Sequence, residues 1–124
     1  MVVGVCRITL MVEGSHSLKE KRTVIKSIKD KTNLKFNCAI AEVADQDAWQ
    51  SAVLGLSVVA NDRRFVEGML EKIVRYIEDL ATAKLVDDER DYVNYGDGEL
   101  TSGDQWAHWE PGQPSPMTRR KGPK

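Results

Sequence analysis

Three groups of residues in this 124-residue chain have types and spacings that could do chemistry. The first is the loop Gly14-Ser15-His16-Ser17, followed by Lys19. Free backbone N–H groups at a helix start attract anions, and Ser15, His16 and Ser17 stand where they would add donors for a phosphate. The GxxxxGK[ST] pattern of a P-loop is absent, so the anion reading rests on the loop's polarity alone. The second group is Lys19, Arg22, Lys26 and Lys29, at spacings of 3, 4 and 3. On a helix these fall on one face and make a cationic stripe able to contact the phosphates of RNA, or simply to face water. The third is Glu42, Asp45, Asp47 and Trp49. Neighbouring carboxylates can hold a divalent cation or share a proton, but no histidine, serine nucleophile or cation accompanies them in sequence. A polar turn, with Trp49 packing the hairpin base or anchoring a partner, accounts for them as well.

Other chemistry finds less support. Cys6 and Cys38 lie in predicted strands with neither CxxC nor histidine-spaced company, which points to two buried thiols rather than a zinc site. No catalytic residues, resident metal or cofactor are assigned, and a phosphate-handling enzyme at residues 14–19 stands as the weakest of three readings. The apolar N-terminus interleaves Gly4, Arg7 and Thr9 and carries no basic leader, and no apolar run reaches the roughly 20 residues of a membrane span. A cytoplasmic protein is expected.

The elements that must position these residues follow from periodicity. Residues 2–12 alternate as a strand, with Val2, Cys6, Ile8, Leu10 and Val12 on one face. Ser17 and Glu20 form the Ser-x-x-Glu capping box, in which the serine accepts from a free N–H and the glutamate reaches back to the cap's own N–H. A helix over 18–32 follows, its apolar sector made by Leu18, Val24, Ile25 and Ile28. Lys21 falls near that sector and is expected to snorkel to water. Residues 35–43 read as a second strand with a bulge near Ile40–Ala41, and residues 50–60 as a third. Asn61 or Asp62 caps a helix over 62–81 with the stripe Val66, Met69, Leu70, Ile73, Ile77 and Leu80. An acidic edge strand, 84–93, closes the domain.

The order βαββαβ predicts an α+β, ferredoxin-like domain over residues 1–93: a four-stranded antiparallel sheet, order 4-1-3-2, with two helices on one face. Strands one and three carry apolar residues on both faces. The open face is therefore expected to be buried in a homo-oligomer. Residues 94–124 hold five glycines and four prolines without apolar periodicity, and read as a flexible tail in which Trp106, Trp109 and Arg119-Arg120-Lys121 could dock on a partner.

With the elements placed, the text VGVCRITLMVEGSHSLKEKRTVIKSIKDK and FNCAIAEVADQDAWQSAVLGLSVVANDRRFVE resembles the YlxP-like family of uncharacterised bacterial proteins. The resemblance rests on GSHSLKEKR, AEVADQD-x-WQ and LGLSVVANDR and runs to about residue 93. It implies a ferredoxin-like domain. It also suggests a link to translation, since genes of this family often lie among genes for translation initiation and ribosome maturation. It carries over no active site, and the tail departs from the family's short form.

Charge decides among the function classes. The chain's net charge is -1, yet residues 17–35 carry +5 and residues 36–99 carry -8. An acidic domain with one basic helix would aim that helix at a polyanion and turn its other faces away. Recognition-motif aromatics on strands one and three are missing, as is a KH-type GxxG loop, so any RNA contact falls to the helix rather than the sheet. The expected function is non-enzymatic association with RNA, such as rRNA or a ribosomal subunit, through Lys19, Arg22, Lys26 and Lys29, with no DNA specificity. The alternative is a homo-oligomeric interaction or small-ligand module that uses the open sheet and the Asp45–Trp49 loop.

Overall fold

A computed structural model describes residues 1–80, 82–96 and 112. The chain divides into two compact units, Met1–Val93 and Asn94–Lys124. Trp106, Trp109 and the Arg119–Lys121 run lie outside the described residues.

The first unit is built from β1 (Val2–Met11), α1 (Leu18–Lys35), β2 (Ala39–Ala44), β3 (Ser51–Ala60), α2 (Arg63–Leu80) and β4 (Lys84–Asn94). The strands form one sheet in the order β2-β3-β1-β4, the ferredoxin-like arrangement that the element order implies. β3 runs antiparallel to both β1 and β2. Alternation puts Val2, Cys6, Ile8 and Leu10 of β1, with Leu54, Leu56 and Val58 of β3, under the helices, where all are buried. From above, α2 contributes Val66, Leu70, Ile73, Val74 and Ile77, and α1 contributes Ile25 and Ile28. Gly4 lets α2 approach β1: a Cβ there would collide with Val66 and Leu70. Where α1 ends, Phe36 meets Tyr76 of α2 edge to face, centroids 5.5 Å apart.

Three local expectations shift. The helix α1 runs to Lys35 rather than 32, because the Phe36 N–H closes the last turn on the Thr32 carbonyl at 2.8 Å. β2 therefore starts at Ala39. Its irregularity lies between Glu42 and Ala44, not at Ile40–Ala41. Glu42, opposite the buried Leu54, faces the helix side and meets Lys21, while Val43 covers Gly55 on the open face; a Cβ at Gly55 would come within 3.0 Å of Val43 Cγ1.

Candidate nucleic-acid interface and its anchoring loop

The start of α1 is self-satisfied. Ser17 is the N-cap, and its Oγ accepts from the Glu20 N–H at 3.1 Å. Glu20 reaches back as the capping box requires, but its Oε1 accepts from the His16 N–H, at 2.6 Å, one residue ahead of the cap. Ser15 is buried; its Oγ donates to the Ser17 carbonyl at 3.1 Å, and Gln50 Nε2 donates to the Ser15 carbonyl at 3.4 Å. The donors that Ser15, His16 and Ser17 would offer an anion are thus largely engaged within the protein, and His16 is left as an exposed side chain.

Along α1, Lys19, Arg22 and Lys26 are exposed and Lys29 is half-buried. Arg22, Lys26 and Lys29 line one groove of about 350 Å³ with Ile25, Asp30 and Glu42, beside the outer edge of β2. Within it Lys26 pairs with Asp30 at 2.7 Å. An exposed i,i+4 pair of this kind contributes only about 0.3–0.5 kcal/mol, so it yields readily to a phosphate. Among the described residues, Lys19, Arg22 and Lys29 take part in no ion pair.

The residue that sequence reasoning misplaced is Lys21. It does not snorkel but is fully buried, 0% exposed. Its Nζ donates to the carbonyls of Asp45 (2.7 Å), Ser51 (3.2 Å) and Gln46 (3.5 Å). It also lies 3.0 Å from Glu42 Oε2. That oxygen is buried and outside hydrogen-bond geometry, so the Glu42 contact is Coulombic, with the ammonium's three protons directed at the carbonyls. The i, i+4, i+7, i+11 stripe Lys21-Ile25-Ile28-Thr32 is the buried face of α1. That spacing was the available signal for a buried lysine.

Lys21 in turn explains the acidic loop. Asp45 sits in the left-handed region at φ 59°, its carbonyl directed at Lys21 and its Oδ2 accepting from Ser51 Oγ at 3.1 Å. Asp47 points to solvent. Instead of packing the hairpin base, Trp49 is 52% exposed and lines a hollow of about 560 Å³ with Met11, Ala48, Gln50 and Ser51. The carboxylates of Glu42, Asp45 and Asp47 do not converge: among the described residues no three His, Cys, Asp or Glu side chains group to hold a metal ion. Burial pushes the Cys6 thiol up to about 11 and raises Cys38 as well, so neither is a thiolate nucleophile at neutral pH. Both cysteines are free: Cys6 is buried on β1, whereas Cys38, expected in a strand, is half-buried in the link that precedes β2, because α1 runs on to Lys35.

Fold and site together define a ferredoxin-like α+β protein with a basic helix face, a lysine-pinned loop and an uncovered sheet. The chain belongs to the family described as protein of unknown function DUF503, which matches residues 3–90. It is 32% identical over 77 residues to the uncharacterized protein YlxP of Bacillus subtilis (strain 168), a match covering 62% of this chain and 84% of that protein. The resemblance carried by the GSHSLKEKR segment and its companions therefore holds at the level of the family. Two de novo designed proteins are similar among solved structures. LFR1 1, made with a ferredoxin fold, is 14% identical, with 92% of this chain and 96% of the design covered and a TM-score of 0.47. Foldit4 is 19% identical, with 75% and 96% covered and a TM-score of 0.43. Among the described residues no helix is long and apolar enough to cross a membrane.

Proposed function

We propose that this protein is a non-enzymatic, cytoplasmic RNA-associating protein. Lys19, Arg22, Lys26 and Lys29 of α1 contact backbone phosphates, and rRNA or a ribosomal subunit is the partner class. The observation that carries this reading is the shared groove: three of the four cations line one depression, and none of them is needed to complete the core. Four phosphate contacts would give a log–log salt slope of roughly -3 for single-stranded RNA, at about -0.7 per phosphate. Such binding would be weak and indifferent to sequence, because contacts to backbone phosphates carry no sequence information.

The test is a salt titration of binding to a fluorescent single-stranded RNA. It compares the wild type with the charge-reversed Lys19→Glu/Arg22→Glu/Lys26→Glu/Lys29→Glu protein, with circular dichroism to check the fold. The reversed protein should lose binding at least tenfold at low salt, and its slope should fall towards zero. An Arg119→Ala/Arg120→Ala/Lys121→Ala protein should retain both affinity and slope. Equal binding by the wild type and the α1 variant, or a salt-independent wild type, would remove the proposal.

A further inference from the structure

The sheet face opposite the helices is apolar, hollow and carries charges without partners. Val5, Met11, Val43, Val59 and Val93 are exposed there, half of the ten exposed large apolar side chains among the described residues. Between Val5 and Val43 runs a trough of about 680 Å³, floored by the small residues Ala39, Ala41, Gly55 and Ser57. Arg7 of β1 and Glu89 and Asp91 of β4 line the same trough. Among the described residues the Arg7 side chain makes no hydrogen bond or ion pair, and neither carboxylate has a cationic partner; the Asp91 carboxylate only accepts from the Tyr92 N–H, at 2.8 Å.

We propose that a second copy of this chain covers this face across a two-fold axis. Arg7 of each protomer then meets Glu89 or Asp91 of the partner subunit, and the valines of each enter the small-residue hollow of the other. Three features favour a second copy. The face contains both halves of its own complement, ridge with hollow and cation with carboxylates, as an isologous interface requires. Its size suffices: four strands of six to eleven residues, about 4.8 Å apart and at about 3.3 Å per residue, offer roughly 600 Å² per copy, or about 1,200 Å² in total, the lower end of specific interfaces. Uncovered, it would leave a continuous apolar patch rimmed by polar residues, the usual mark of an interaction site. The helices lie on the other side of the sheet, so this inference does not depend on the RNA reading.

The test is the mass of the full chain by light scattering and sedimentation from about 1 to 200 µM, a range suited to an interface of this size. The wild type should reach twice the 13.9 kDa chain mass. Arg7→Glu, and separately Glu89→Lys/Asp91→Lys, should each raise the dimer dissociation constant at least tenfold. An equimolar mixture of the two variants should regain the dimer mass, because the reversed charges complement one another. Thermal melts show that each variant is folded. A monomeric wild type at 200 µM overturns the proposal and leaves the face to a different partner. It is also overturned by a dimer indifferent to both variants, or by a mixture that stays monomeric.

Discussion

Lys21 shows how one side chain can join sequence positions that no local pattern connects. Its ammonium, itself out of contact with water, collects carbonyls 24, 25 and 30 residues away and a carboxylate on β2. Removing it would leave three carbonyls and the inner oxygen of Glu42 without their cation. Lys21→Met, which keeps the aliphatic stem, should therefore cost about 3–5 kcal/mol, as loss of one member of a buried ion pair does. Urea denaturation would measure it, and an unchanged midpoint would mean the loop holds itself. The lysine's position on the apolar sector of α1 was legible, since it stands four residues before Ile25. Its burial was not, because the groups that compensate the charge come from a loop whose conformation is set by tertiary contacts. Trp49 went the other way: apolarity suggests cover, but at the hairpin end the ring stays 52% exposed among the described residues.

Elements were read more securely than their ends. Alternation in β1 and β3 and the 3.6-residue stripe of α2 each reflect a face buried by many residues at once, so single exceptions do not move them. β2 was less legible. Phe36 and Cys38 alternate as strand residues do, yet Lys35 still belongs to α1, and the register slips only past Glu42, which alternation with Ile40 has already turned towards Lys21. The tie between α2 and β4 was also invisible in sequence. Arg90 bridges Glu71 Oε1 at 2.8 Å and Asp88 Oδ2 at 2.7 Å, and Arg75 adds a second contact to Glu71 at 2.7 Å. Hydrogen bonds from Arg90 and then Arg75 hold the Glu71 carboxyl below the usual carboxylate range. A lowered folded-state pKa contributes stability that is present above the unfolded value, about 4.3, and is lost as pH falls through the folded one. Glu71→Gln should therefore be less stable than the wild type near neutrality and lose that deficit below about pH 4. Denaturant midpoints for both proteins across pH 3–7 check this. Parallel curves would mean the exposed bridge is fully screened.

At the scale of the whole molecule, the sheet separates two surfaces of different character. The basic stripe lies on α1, on the helix side, whereas Arg7, Glu89, Asp91 and the exposed valines lie on the open side. Neither set belongs to the buried core, and Lys21, the one cation of α1 that does, is excluded from both surfaces. Changes on one side should then leave the other untouched. The four-fold charge reversal of α1 should remain at the wild-type mass and change the unfolding free energy, read from urea denaturation, by no more than about 2 kcal/mol, since each exposed substitution usually shifts it by up to about 0.5 kcal/mol. Arg7→Glu should bind a short RNA, long enough for one α1 face, with wild-type affinity and salt slope. On an RNA able to span two faces it should bind more weakly, since a monomer loses the gain from linked sites. Mass measurement and RNA titration on the same two variants test this double separation. If charge reversal on α1 also abolishes the dimer, the stripe belongs to the assembly rather than to a polyanion. If Arg7→Glu weakens binding to the short RNA as well, the nucleic acid reaches across to the open sheet.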